Sequence, residues 1–229
     1  MLDARARQVL APTLDRAAAR LAAAGVPALA ITGVGWLSGV AACVAVGTEH
    51  WVLGLVLWLL NRLLDGLDGP VARVRGATDL GGFLDIVADF SIYAGFVVAV
   101  AVAVPGARLA CAVLLTAYYV SGTAFLALSS LIERRGGTVG DERSLRFVGG
   151  LAEGTETVMV YVLFCLLPEY AALVAWLFAG VVAFTAVQRV YFGVRILRAP
   201  SPATVPAIGP PPTRTVSPSP PFPSRQEYR

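Results

Sequence analysis

Charge is what this chain has least of. Only 14% of its 229 residues are charged, against roughly 25% in an ordinary soluble domain. Apolar residues make up 57%, and the mean hydropathy is +0.71. This deficit excludes a disordered chain, a nucleic-acid-binding protein and an ordinary soluble globular domain. It points to a protein solvated by lipid. Lysine is absent altogether, so all 18 basic residues are Arg. A Schiff-base lysine and a phosphate-loop lysine are thereby excluded. The single histidine, His50, cannot make a His pair or a His-rich metal site. Cys43, Cys111 and Cys165 are odd in number, far apart and embedded in apolar runs. They read as small hydrophobes, not as a disulfide framework or a zinc site.

What the chain does have is long uncharged runs, at residues 21–48, 109–132 and 170–188. A membrane-spanning helix needs about 20 apolar residues, so each run holds one. Three further apolar stretches, 51–60, 83–104 and 147–167, run into or begin with acids. The pattern predicts an all-α polytopic membrane protein with six transmembrane helices over residues 25–198. An amphipathic juxtamembrane helix precedes them at residues 1–24. There Leu10, Leu14, Ala17 and Leu21 recur at helical spacing among Arg5, Arg7, Arg16 and Arg20. This segment is not read as a signal peptide, since no small-residue cleavage site closes the long apolar run that follows. Residues 199–229 contain ten Pro and are expected to form a disordered cytoplasmic tail.

Arginine marks one side of this layout. The connections at Glu49-His50, Pro105–Arg108 and Pro168-Glu169 are nearly free of it. The opposite side carries Arg73 and Arg75, then Arg134, Arg135, Arg143 and Arg146, then Arg195 and Arg198. The positive-inside rule makes that side cytoplasmic, with both termini there and His50 outside.

Five of the eight Asp fall between residues 65 and 89, on the Arg-rich side. Carboxylates are costly in a membrane helix, so their clustering calls for a cause. At about 100° per residue, Asp65, Asp68, Gly69 and Ala72 share one helix face. Gly81, Asp85 and Asp89 share a face of the next helix. Two antiparallel neighbours joined by a short turn can bring four carboxylates together. Four such groups do not stay ionised without cations, and oxygen-only ligands suit Mg²⁺ or Mn²⁺. With Arg73 in the same turn and two glycines permitting close approach, the set reads as phosphoryl transfer.

The run Asp65-x2-Asp68-Gly69-x2-Ala72-Arg73, then Gly81-x3-Asp85-x3-Asp89, resembles the signature of the CDP-alcohol phosphatidyltransferase family. All eight signature residues are present in order, and the six-helix layout is similar as well. The resemblance implies that Asp65, Asp68 and Asp85 bind two divalent ions bridging the diphosphate of CDP-diacylglycerol. Asp89 would complete the metal site and act as general base on the hydroxyl of a small polar alcohol, releasing CMP. Gly69, Ala72, Arg73, Thr78 and Gly81 would contact nucleotide and diphosphate, and a homodimer is implied too. The acceptor is expected to be a small polar alcohol, with glycerol 3-phosphate the leading choice and inositol or serine the alternatives. A second subclass also remains, which joins CDP-choline or CDP-ethanolamine to diacylglycerol. A membrane prenyltransferase and an ion transporter are weaker alternatives. The former separates its acidic motifs more widely, and the latter favours repeats and midplane acids.

Candidate acceptor residues lie elsewhere. Glu153 and Glu156, three apart on the fifth helix, read equally as part of an acceptor pocket or as helix–helix glue. Arg143 and Arg146 could grip a phosphate on the acceptor or could simply enforce topology. Arg189 is expected either to reach the acceptor or to snorkel to the interface.

Overall fold

The computed structural model describes residues 2–135 and 154–198, with side chains from residue 11 onward. The described part is helical. In chain order the helices are α1 (Leu2–Ala23), α2 (Ala28–Gly47), α3 (Trp51–Arg75), α4 (Asp79–Ala103), α5 (Arg108–Arg134), α6 (Gly154–Leu166) and α7 (Ala171–Arg198). Single 3-10 turns at Pro105–Ala107 and Pro168–Tyr170 make two of the tight reversals expected from the Arg-poor connections.

Four segments are long and apolar enough to cross a bilayer: Ala28–Gly47, Asp79–Ala103, Pro105–Arg134 and Pro168–Arg198. The two other expected spans differ in kind. Helix α3 is apolar in its first half and charged in its second. The described part of α6 has 13 residues. Helix α7 continues about three turns beyond the expected end at residue 188, carrying Arg189 inside it. The outer surface carries large apolar side chains, such as Val52, Leu109, Leu177 and Val187, as lipid-facing walls require.

Helices α2, α3 and α4 pack as one group, and α5 pairs with α7 as another; α6 touches α3 and α7. Small residues allow the close approach, as is common between apolar helices. A methyl group on Gly39 of α2 would lie 2.7 Å from Ile92 of α4, and one on Gly122 of α5 would lie 2.6 Å from Phe90 of α4. Between the groups sits an aromatic stack of Trp58, Tyr93, Phe96, Tyr161 and Phe164. Tyr161 donates its hydroxyl to the Tyr93 carbonyl at 2.8 Å, tying α6 to α4. Aromatic pairs of this kind each add about 0.5–1.5 kcal/mol beyond burial.

Helix α1 uses its apolar stripe against the protein. Leu14, Ala17, Ala18 and Leu21 pack with Leu67 and Val71 of α3 and with Ile31 of α2. The expected tail at residues 199–229 and the basic loop with Arg143 and Arg146 lie outside the described residues, as does Glu153.

Candidate active site

The turn between α3 and α4 is what brings the acids together. Gly76 takes φ +102°, a conformation that side chains with a Cβ resist. Thr78 then caps α4, its Oγ1 accepting from the Gly81 amide at 3.1 Å. This satisfies an amide that the first turn of the helix would otherwise leave open. The chain reverses, and the two acid-bearing faces meet.

Asp65, Asp68 and Asp85 each place a carboxylate oxygen within 4.8 Å of the other two. Asp68 is buried at 6% exposure, and its Oδ2 accepts from the Thr32 hydroxyl of α2 at 2.7 Å. Asp89 lines the same groove, together with Thr32, Gly35, Trp36 and Asn61. The three-acid cluster fits a hard divalent cation. Its donors are oxygen only, and their spread is compatible with ligands at about 2.0–2.6 Å from one centre. Like charges this close stay ionised together only with a cation between them.

Asp89 is held differently. Arg62 of α3 donates Nη2 to Asp89 Oδ1 at 2.8 Å and Nη1 to the Tyr93 hydroxyl at 2.7 Å. Its Nε donates to Asn61 Oδ1 at 2.9 Å, and Nη1 stands 3.5 Å from Asp65 Oδ2. The guanidinium carbon lies 4.7 Å from the Trp58 ring centre and 4.9 Å from that of Tyr93. A desolvated cation over a ring is stabilised by about 2 kcal/mol. Asn61 is fixed in turn, donating Nδ2 to the Gly35 carbonyl at 2.9 Å.

Sequence reasoning had picked Arg73 as the cation beside the acids. Its guanidinium instead lies 3.8 Å from Asp15 of α1, with 69% of the side chain exposed; a methyl group on Gly69 would lie 3.7 Å from it. Gly69 and Ala72 lie on α3 beside the acids, as their spacing requires. Among the described residues, the cation that contacts the acids of the groove is Arg62. The same cost of charge in a membrane helix that singles out the acids applies to it, and its place three residues before Asp65 was the available signal.

A second concavity lies across α4 from the acids. A cavity of about 800 Å³ is lined by Phe90 and Tyr93 of α4, Tyr118, Tyr119, Ser121 and Gly122 of α5, Gly154 and Thr157 of α6, and Arg189 of α7. Arg189 turns inward to α5, donating Nη1 to Ser121 Oγ at 2.8 Å and lying 5.1 Å over the Phe125 ring. Glu156 is half-buried in the first turn of α6 and is not part of the acidic cluster.

Known proteins place this arrangement. A family model described as CDP-alcohol phosphatidyltransferase matches residues 26–188. The chain is 38% identical over 207 residues to the inner membrane protein YnjF of Escherichia coli (strain K12), covering 86% of this chain and 98% of that protein. Its fold is similar to that of the phosphatidylinositol phosphate synthase PgsA1 of Mycobacterium tuberculosis, solved with CDP-DAG bound. The TM-score is 0.64 at 20% identity, over 79% of this chain and 92% of that one. The four long apolar helices agree with an integral membrane protein.

Proposed function

This chain belongs to the CDP-alcohol phosphatidyltransferase family, and from that premise we propose that it moves a phosphatidyl group from CDP-diacylglycerol to the hydroxyl of a small polar alcohol, releasing CMP. The observation that carries this reading is the convergence of Asp65, Asp68 and Asp85 within 4.8 Å, with Asp89 next to them in the groove. It has the donors to hold a diphosphate through cations and, beside them, a carboxylate to take a proton.

Asp65, Asp68 and Asp85 would hold Mg²⁺ or Mn²⁺, and Asp89 is the fourth acid for the second ion that the family pattern implies. Divalent ions bound there would offset the charge of the diphosphate and make the phosphorus more electrophilic. Thr32 fixes Asp68 from α2, and Arg62 fixes Asp89 from α3. The acceptor oxygen attacks the lipid-side phosphorus, the bond to the CMP oxygen breaks, and the hydroxyl proton passes to Asp89. Gly69, Ala72, Arg73, Thr78 and Gly81, at the α3–α4 turn, are assigned to nucleotide and diphosphate.

We assign the acceptor to the far side of α4, where Arg189 lines the cavity beside Tyr93. A guanidinium there suits an anionic alcohol, with glycerol 3-phosphate the leading choice. Arg143, Arg146, Glu153 and Glu156 are assigned to the same acceptor. The layout we favour has six spans over residues 25–198, a surface helix before them and a tail after them. Both termini and the acids face the cytoplasm, and the protein works as a homodimer. A cysteine placed at residue 50, in a background without the native Cys, should then react with an impermeant thiol reagent from outside.

The test of function is direct. Purified protein receives CDP-diacylglycerol and a panel of alcohols, and the lipid product is identified by mass. CMP release that stops in EDTA and returns with Mg²⁺ or Mn²⁺ is expected. Full activity in EDTA would end the metal-based reading. Turnover only with CDP-choline or CDP-ethanolamine and diacylglycerol would select the other subclass. Choice of an uncharged or zwitterionic acceptor would discard the phosphate assignment alone.

A further inference from the structure

The acid row has two unlike ends. At one end, Asp68 has a neutral hydroxyl partner, and Asp85 forms no ion pair among the described residues. At the other end, Asp89 already has a cation, the Arg62 guanidinium at 2.8 Å. That guanidinium cannot swing away easily. Its side chain is 10% exposed, it lies over both the Trp58 and the Tyr93 ring, and three further hydrogen-bond acceptors, on Tyr93, Asn61 and Asp65, surround it. Leaving the carboxylate would strand a charge among apolar helices.

We propose that Arg62 is a resident counter-cation that competes with a divalent ion for Asp89, so that the groove loads in order. The first ion enters at Asp65, Asp68 and Asp85, and a second binds more weakly at the Asp89 end. A divalent ion on the Asp89 carboxylate would stand within a few ångströms of a delocalised positive charge, with little water between them to screen it. Arg is suited to this part. Its planar fork can satisfy Asp89, Tyr93 and Asn61 at once, which a lysine could not do. The inference rests on the proposed metal-dependent reading of the groove, and it adds the residue that sets the order and strength of cation binding.

The experiment is a Mn²⁺ titration followed by electron paramagnetic resonance, on the full chain in detergent without substrate. Wild type should bind one ion tightly and a second about ten-fold or more weakly. Arg62→Met removes the charge and retains an apolar stem against the rings. It should tighten the second ion about ten-fold or more, the scale of one lost charge-assisted hydrogen bond, and tighten the first ion, whose ligand Asp65 stands 3.5 Å from Arg62, by less. Arg62→Lys keeps a charge and should keep the second ion weak. Should Arg62→Met fail to fold, Asp89→Asn gives an independent reading: the first ion stays and the second is lost. The same two affinities in wild type and Arg62→Met would overturn the inference and leave the metal reading standing. Loss of the first ion in Asp89→Asn would also overturn it. A wild-type protein that binds no Mn²⁺ would overturn both.

Discussion

The two faces of α4 present opposite chemistry. One looks onto a groove of four carboxylates shared with α2 and α3. The other looks onto a roomy, mostly apolar cavity, shared with α5, α6 and α7, into which one guanidinium reaches. Tyr93 is common to both: its ring lines the cavity, while its hydroxyl accepts from the arginine of the groove. The contrast separates two tasks. Holding a diphosphate needs dense, rigid negative charge and cations. Admitting an alcohol needs room and a few directed polar groups. In the proposed reaction the two meet at Asp89 and the ring one turn beyond it.

Substitutions can break this division or sharpen it. The largest effect is expected from Asp85→Asn, which leaves two of the three converging carboxylates. Turnover should disappear and Mn²⁺ affinity should fall, both read on the same preparation; unchanged metal binding would remove Asp85 from the cation site. Asp89→Asn comes next. Loss of a general base costs about 10²–10⁴ in rate, and much of the binding of CDP-diacylglycerol, through the first ion, should survive. Wild-type turnover would show that the proton goes elsewhere. Arg189→Ala should act on the cavity alone, raising the acceptor KM about ten-fold, the scale of one hydrogen bond to a charged group. The KM for CDP-diacylglycerol should stay nearly constant. If both constants rise together, the two faces are not separate sites.

The groove was far more legible in the sequence than the cavity. Asp65 and Asp68, like Asp85 and Asp89, lie within single helices, where a spacing of three or four residues sets a common face whatever the rest of the fold does. The short turn at residues 76–78 left them little choice but to meet. Arg62 lies just past the apolar stretch that ends at residue 60, and its distance from Asp65 obeys the same rule. The cavity had no local signal of any kind. Tyr93, Tyr118, Thr157 and Arg189 come from four helices, and their rotations depend on contacts such as Phe90 against Gly122. Arg189 was placed at the edge of the membrane because the uncharged run stops at residue 188. There α7 continues through it, and Ser121 of α5 receives it. Thr32 was lost among apolar neighbours, with nothing in the sequence to show that its hydroxyl points at Asp68.

Phe90 and Ile92 give α4 a further property. One fills the notch at Gly122 and the other the notch at Gly39, on opposite neighbours and next to Asp89. The helix is thus clamped like a ruler at one mark. Asp85 and Asp89 stand one turn apart on that ruler, about 6 Å along the axis. An inserted residue between them would swing Asp89 around by about 100°, and no sliding of the clamped helix could restore the spacing. In the proposed reaction, the interval between the phosphate held near Asp85 and the proton acceptor Asp89 would therefore be a fixed length, the same for every alcohol. On the same proposal, choice among alcohols would fall to the walls beyond Tyr93, which can change their side chains without recalibrating the scale.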